Sequence, residues 1–349
     1  MLKRRKKSPD SHIAIDPGAF RTRFYSCAEG LLLDQPSVGA LDMDHPLGGS
    51  PSVSAFGDRA SEILASGIDG YKEVQPVQSD MRNDLGLRIK MLGYFLDQAK
   101  RADLTGRAPE ISLVLPHHID AKTSEYLQQT CYAAGAFSVD VQDAALAAFN
   151  STGLDQSEPC VMIDFGATAS RLFAVANGEV VHHVELSCSG DAIDKIIIEG
   201  LVERFGLQVT GAGARHIKHS IAAATRKSFV QCTRSSCQVN SLSLKTNTLT
   251  EFRVSSDTAS DLLQPAMDEL TDSIRLAFAA IDSKIKDAAY ETGIRLFGGG
   301  AMLSRMDQLV MSATDLPVEV VKRPLTFGAR GAASAMADPV PELELIEPA

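Results

Sequence analysis

Asp16 and Asp164 stand in matching surroundings, and the match suggests a chemistry. Each ends an apolar run, Ile13-Ala14-Ile15 in one case and Val161-Met162-Ile163 in the other, and each has a glycine two residues on, Gly18 and Gly166. A hydroxyl follows at Thr22 and Ser170, then Arg23 and Arg171 open a second run with alternating apolar positions. A glycine turn after a strand lets backbone N–H groups approach phosphate oxygens, because glycine lacks a Cβ and tolerates positive φ. Two such turns facing each other, each led by a carboxylate, can clamp a nucleotide's phosphates while Asp16 and Asp164 hold Mg²⁺ through its waters. A single turn of this kind is more often just a turn. The weight rests on the repetition at one constant offset.

Three further stretches are candidates. In "LFGGGAML", residues 296–303, Gly298, Gly299 and Gly300 exceed the needs of a plain strand-to-helix connection, so an adenine ring or ribose lying on flat backbone beside a helix N-terminus is expected, with Ala301 next to it. "CSGDAID", residues 188–194, places Gly190 and Asp191 at a helix start, Asp191 reading as the N-cap with a second duty at the sugar. "ARHIKHS", residues 214–220, sets Arg215, His216, Lys218 and His219 on a helix, ordinarily a solvated face.

These residues need elements to hold them. With 349 residues and 44% hydrophobic content the chain can build two domain-sized cores and a cleft between two lobes. One supersecondary unit recurring about half a chain apart predicts an internally duplicated α/β fold with one copy per lobe. "ISLVLP" (111–116) reads as a strand, followed by a helix over about Ala121–Ala136, then "FSVDVQ" and a small-residue helix from Ala144. In the second half a helix starts at Asp191 and stops at Gly206, residues 228–256 read as two or three antiparallel strands, and a long helix from Asp257 carries Pro265, where a kink is expected.

The net charge of −10 argues against a nucleic-acid-binding surface over the whole molecule. Lys3-Arg4-Arg5-Lys6-Lys7 is a local exception, either a solvated tail or an attraction to an anionic inner membrane. The second reading is worth about 1 kcal/mol per basic residue near the surface. No run of 18 apolar residues and no signal-peptide h-region is found, so neither a transmembrane helix nor a secretory signal is expected. Cysteines 27, 131, 160, 188, 232 and 237 lack metal-ligand spacing and read as reduced thiols.

In order along the chain, "SHIAIDPGAFRT", "DQPSVGALD", "VQPVQSD", "GLRIKML", "VLPHHID", "IDFGATAS", "SGDAIDKII", "ARHIKHSI", "LFGGGAML" and "RPLTFGARGAA" resemble the actin/Hsp70/sugar-kinase superfamily. Within it the chain is similar to the rod-shape-determining MreB family of bacterial actin homologues. The resemblance implies duplicated actin-like, ribonuclease H-like ATPase lobes with a nucleotide cleft between them. The first would span 1–145 plus about 320–349 with a small subdomain at about 31–75, and the second 146–320 with one at about 190–256. It implies Asp16, Gly18, Phe20, Arg21 and Thr22 at the first phosphate loop and Gly166, Ala167 and Thr168 at the second. Gly190 and Asp191 would lie at the sugar, Arg215, His216, Ile217 and Lys218 on one side of the adenine, and Gly298, Gly299, Gly300 and Ala301 on the other. ATP and Mg²⁺ are the implied cofactors, with Asp16 and Asp164 on the metal through water. The implied partners are other copies in a filament, the inner membrane surface and the cell-wall elongation machinery, and the implied location is cytoplasmic, peripheral on that membrane.

The chain departs from the family in both loops. Ala167, Thr168 and Ala169 stand where the family carries glycines, and Phe20 and Arg21 where it carries smaller groups. Where the family bears a water-positioning glutamate, this chain reads "VDVQDAALAAF", with Ala144 at the aligned position and Gln142 or Asp143 as a stand-in, Asp143 being the catalytic candidate. Arg21 reads either as a phosphate clamp or as a solvent-facing turn residue. Three functions follow: a filament-forming slow ATPase, an actin-fold scaffold acting through protein contacts, and a small-molecule kinase of the same superfold.

Overall fold

The structure is a computed structural model that describes residues 12–43, 52–66, 68–76, 85–102, 104–105, 108–225 and 235–336. The basic cluster at residues 3–7, Cys232 and most of "VQPVQSD" lie outside the described residues. The chain divides into two compact units, one running to Leu154 and resuming at Gly328, the other Asp155–Phe327.

The first unit holds β1 (His12–Pro17), β2 (Arg21–Ser26), β3 (Gly30–Pro36), β4 (Gly39–Asp42), β5 (Ser52–Phe56), α1 (Gly57–Ala65) and β6 (Tyr71–Val74). It continues through α2 (Leu85–Arg101), β7 (Glu110–Leu115), α3 (Ala121–Ala133), β8 (Ser138–Asp143) and α4 (Ala144–Asn150). The second holds β9 (Cys160–Phe165), β10 (Ser170–Ala176), β11 (Glu179–Leu186), α5 (Gly190–Phe205), β12 (Leu207–Gln208), α6 (Gly211–Ile221), β13 (Ser236–Ser243) and β14 (Thr248–Ser255). Then come α7 (Ser256–Ala279), α8 (Ser283–Thr292), β15 (Ile294–Phe297), α9 (Met306–Thr314) and β16 (Val318–Val320), before α10 (Phe327–Met336) returns the chain to the first unit.

Each unit is built on a five-stranded sheet of the same topology, β3-β2-β1-β7-β8 in one and β11-β10-β9-β15-β16 in the other. In both, three antiparallel strands lead into two parallel ones. The duplication read from the repeat is therefore a duplication of whole sheets. A three-stranded sheet, β5-β4-β6, belongs to the first unit and another, β12-β13-β14, to the second.

The central strands are buried on both faces, which is why they read as near-continuous apolar runs. On β1, Ile13 and Ile15 pack with Phe24, Phe95, Ile111 and Leu113, while Ala14 faces the other way against Val114, Ala147, Ala332 and Ala333. On β9, Val161 and Ile163 join Ile193, Ile197 and Leu201 of α5. One local expectation changes. The helix read as ending near Ala136 stops at Ala133, because Ala134 caps it and Gly135 turns away at φ +102°. The long helix α7 carries Pro265 in its interior, as the sequence indicates. Among the described residues five cysteines are free, and burial pushes the thiols of Cys131 up to about 12 and of Cys160 and Cys188 up to about 11.

Candidate functional site

The two Asp-led turns are built alike down to the register. Asp16 pairs with Arg23 across β1–β2, and Asp164 with Arg171 across β9–β10. One strand further out Arg23 faces Asp34 and Arg171 faces Glu185. These are ion pairs at 3.3 Å and 3.5 Å. The first is a charge contact without hydrogen-bond geometry at Arg23 Nε. An acid–arginine–acid row thus crosses three strands in each unit, and its outer acids, Asp34 and Glu185, were not foreseen from the sequence. A register-based signal existed, since both acids lie on the strand that pairs with the arginine-bearing one.

The glycines of both turns do the same work. A Cβ on Gly18 would stand 2.8 Å from the Arg21 carbonyl oxygen, and one on Gly166 2.5 Å from that of Ala169. Each turn folds back on its own backbone, so a side chain there has no room. Among the described residues, those with positive φ lie outside residues 16–22 and 164–169. Ala167, Thr168 and Ala169 therefore replace glycines without backbone strain.

The turns differ in what braces them. In the first unit Ser37 Oγ donates to the Gly18 carbonyl at 2.7 Å and lies 3.0 Å from Thr22 Oγ1, while Ser37 N donates to Phe20 O at 3.0 Å. In the second, Gly190 N donates to Gly166 O at 3.0 Å and Asp191 N to Ala167 O at 2.8 Å, so the turn sits on the first residues of α5. Asp191 is accordingly not the N-cap. Ser189 takes that place with extended backbone, its Oγ accepting from Ala192 N at 3.3 Å, because the Asp191 amide is engaged by the turn. Burial, then the neighbouring Asp194, raises the Asp191 carboxyl. Gly206, as expected, ends α5 in the left-handed conformation at φ +65°.

The triple glycine is explained in large part by packing. Gly298 has φ +81°, and a Cβ there would overlap Asp164 Oδ1 and come within 2.6 Å of the Phe165 carbonyl. A Cβ on Gly300 would lie 2.7 Å from Phe165 Cβ. Two of the three glycines are thus required by the close approach of this connection to the end of β9, contrary to the expectation that three exceed what it needs. Gly299 has ordinary space, with Leu325 nearest at 3.7 Å, and Ala301 is buried.

On α6, Lys218 Nζ lies 2.8 Å from Asp194 and donates to the Gly190 carbonyl at 2.9 Å. That ammonium ties α6 to the first turn of α5. Ile217 is fully buried in the apolar core and offers no side chain to a ligand, whereas His216 is exposed and Arg215 half-buried. Burial, then Lys218, lowers the pKa of His219.

Arg21 is neither turned to solvent nor poised as a clamp. Its Nε donates to Asp34 Oδ1 at 2.5 Å and its terminal nitrogen to Asp34 O at 2.8 Å, so a phosphate contact requires it to leave that pair. Phe20, beside it, is exposed. Asp143 caps α4, its Oδ1 accepting from Ala145 N at 2.7 Å and Leu146 N at 3.3 Å, and its Oδ2 meets His117 Nδ1. Gln142 is engaged by Ser112 Oγ at 2.9 Å, and Ala144 opens α4.

Asp16 carries the strongest electrostatic signature of the first turn. Burial pushes its carboxyl up to about 6, with Arg23 working against the rise and Asp34 adding to it. A carboxylate half withdrawn from water and short of compensating charge is one that a hard cation would stabilise. Among the described residues no cluster of three or more His, Cys, Asp or Glu could hold a metal. An ion here would rest on single carboxylates and water, the manner of Mg²⁺. The donor set thus fits Mg²⁺ and phosphate: oxygen ligands, tight backbone turns and small residues.

Two copies of one five-stranded sheet, each with an Asp-led turn at the same corner, define a protein of the duplicated actin-like class. The family model described as MreB/Mbl protein matches residues 10–342, and the chain belongs to that family. It is 26% identical over 339 residues to the cell shape-determining protein MreB of Escherichia coli K12, covering 96% of each chain. Against Mbl of Bacillus subtilis it is 20% identical, covering 91% of this chain and 93% of the relative. Among solved structures, MreB5 of Spiroplasma citri bound to ADP matches at a TM-score of 0.82 and 18% identity, over 93% of this chain and 95% of that one. A MamK double helical filament matches at 0.70 and 18%, over 93% and 98%. At such identity the shared property is the fold.

Proposed function

We propose that the chain is an Mg-ATP-binding filament subunit that acts in cell shape, at the inner membrane, by organising wall synthesis. The observation that carries the reading is the duplicated turn, with the same Asp–Arg register and the same glycine-over-carbonyl fold in both units. In support, relatives are described as cell shape-determining, one solved neighbour is described as bound to ADP and another as a double helical filament. Asp16 and Asp164 would hold the metal through water, and the backbone of residues 18–22 and 166–168 would face the phosphates. Gly190 and Asp191 would serve the sugar, and Arg215, His216 and the Gly298–Ala301 backbone the base. Lys218 would act by fixing α6 on α5. Bound Mg-ATP supplies a terminal phosphate open to water attack. The basic residues 3–7 would provide the attraction to membrane.

One observation favours the rival scaffold reading: Arg21 is spent on Asp34, and Asp143 on its cap and His117. Thermal unfolding with and without Mg-ATP separates the two, since a ligand at 100 times its Kd adds about 2.7 kcal/mol. Electron microscopy of the same samples then shows whether filaments need nucleotide. No thermal shift at millimolar Mg-ATP, with filaments in both conditions, would establish the scaffold. Deleting residues 1–8 should abolish co-sedimentation with anionic liposomes; unchanged binding would remove the tail as anchor.

A further inference from the structure

Strand β14, Thr248–Ser255, is an outer strand of the sheet β12-β13-β14, and it is long and open. Thr248, Leu249, Thr250, Glu251 and Arg253 are all exposed, Leu249 at 82%. Other outer strands are short, with two residues in β12, four in β6 and three in β16. Shortness is one of the ways in which proteins keep the unpaired backbone of an edge from recruiting another chain, and edge charges, lysine above all, are another. β14 is not short, and its two charged residues, Glu251 and Arg253, are of opposite sign.

The ladder fixes which backbone groups face outward. Ser256 N donates to Ser235 O at 2.9 Å, and the register from Ser236 opposite Ser255 to Ser243 opposite Thr248 runs without a bulge. Antiparallel pairs alternate between those that exchange both hydrogen bonds and those that exchange none. Val254, Phe252, Thr250 and Thr248 are therefore the positions bonded to β13, and Leu249, Glu251, Arg253 and Ser255 turn their N–H and C=O groups away from it. Glu251 and Arg253 also share the exposed face of the strand, where β13 sets the uncharged Asn240 and Gln238 opposite them.

We propose that this edge docks a second copy of the chain, two β14 strands pairing antiparallel about a two-fold axis at Phe252. In that register Glu251 of each copy lies opposite Arg253 of the other, and both belong to the pairs that exchange hydrogen bonds. A slip of two residues either way sets Glu251 against Glu251 or Arg253 against Arg253, so charge selects one register. Phe252 meets its own copy at the axis, in a non-bonded pair where strands come closest. Phe205, 41% exposed and with its ring centroid 5.1 Å from that of Phe252, gains cover there. The contact is closed, since each copy uses its edge once and the product is a pair. It is therefore a surface apart from any that would extend a filament.

Charge swaps at two exposed positions test this without touching the core. Sedimentation velocity of the nucleotide-free full chain up to about 100 µM should show a monomer–dimer equilibrium. Glu251→Arg sets like charges opposite each other at both ends of the axis and should weaken dimerisation about tenfold or more, as should Arg253→Glu. The two substitutions together restore opposite charges and should return the dimer Kd to within about threefold of the parent. Leu249→Pro removes an outward N–H from the edge while leaving the bonds to β13 in place, and it should weaken the dimer as well. A parent that stays monomeric, single swaps that leave the dimer unchanged, or a double swap that fails to restore it overturns the assignment. None of these outcomes bears on nucleotide binding.

Discussion

In the first unit Asp16, Arg23 and Asp34 form a row across three strands, and in the second Asp164, Arg171 and Glu185 form the same row. The surroundings then diverge. The position of Arg21 is held by Ala169 in the other copy, the hydroxyl brace of Ser37 is replaced by backbone amides of α5, and the pair His117-His118 after β7 is answered after β15 by Gly298-Gly299-Gly300. One copy carries charged and imidazole side chains at this end of its sheet. The other carries bare backbone that lets chain segments approach closely. The frame is the same in both copies, while the first sets bulky polar side chains where the second sets small residues and closely packed backbone.

The comparison breaks most severely at Gly298. Alanine there must adopt a left-handed φ and drive its methyl into Asp164 and the Phe165 carbonyl. Gly298→Ala is expected to cost roughly 3 kcal/mol or more in urea unfolding and to lose any thermal shift with Mg-ATP. The two arginines give the next contrast. Arg23 is 10% exposed and serves two carboxylates, whereas Arg171 is 26% exposed and meets a Glu185 that is 63% exposed. Arg23→Met should cost about 2 kcal/mol and Arg171→Met under about 0.5 kcal/mol. Equal costs would mean the rows are energetically as alike as they are geometrically.

The Asp16 carboxyl makes a pH-dependent contrast. Below about pH 4 it is protonated in both folded and unfolded chains and adds nothing; between about 4 and 6 the unfolded chain releases the proton first. Stability from this group therefore falls as pH rises through that window and stays reduced above it. Asp16→Asn should raise the stability of the nucleotide-free protein at pH 7 by about 2 kcal/mol, after allowance for partial exposure, and leave it unchanged near pH 3.5. The same substitution should weaken stabilisation by Mg-ATP, since it removes a metal-facing charge. The smallest effect is at the brace: Ser37→Ala should cost about 1 kcal/mol, measured by urea midpoint.

The frame was legible in the sequence because a strand end followed by Asp-x-Gly-Ala is a local signal, and it occurs twice at one offset. Chain reversals hid the partners. Asp34 and Glu185 face their arginines through outer strands whose pairing shifts register between Phe24 and Tyr25 and between Ala174 and Val175, an irregularity that local spacing does not announce. His117 and Asp143 meet only because β7 and β8 run parallel with α3 between them in sequence. The cap of α5 was misplaced by two residues because Ser189 and Asp191 have side chains equally suited to the task. Backbone engagement of the Asp191 amide decides between them.

Helix α10 sets an order of events during synthesis. Its Ala332 and Ala333 complete the apolar layer begun by Ala14, Val114 and Ala147, and a Cβ on its Gly331 would collide with the Ala147 carbonyl, so α10 and α4 touch backbone to backbone. The unit whose first strand emerges earliest from the ribosome is therefore the one sealed last, after every element of the second unit has already been made. Nascent chains halted short of α10 would lack the residues that cover Ala14, Val114 and Ala147, and apolar surface left open during synthesis is prone to aggregation.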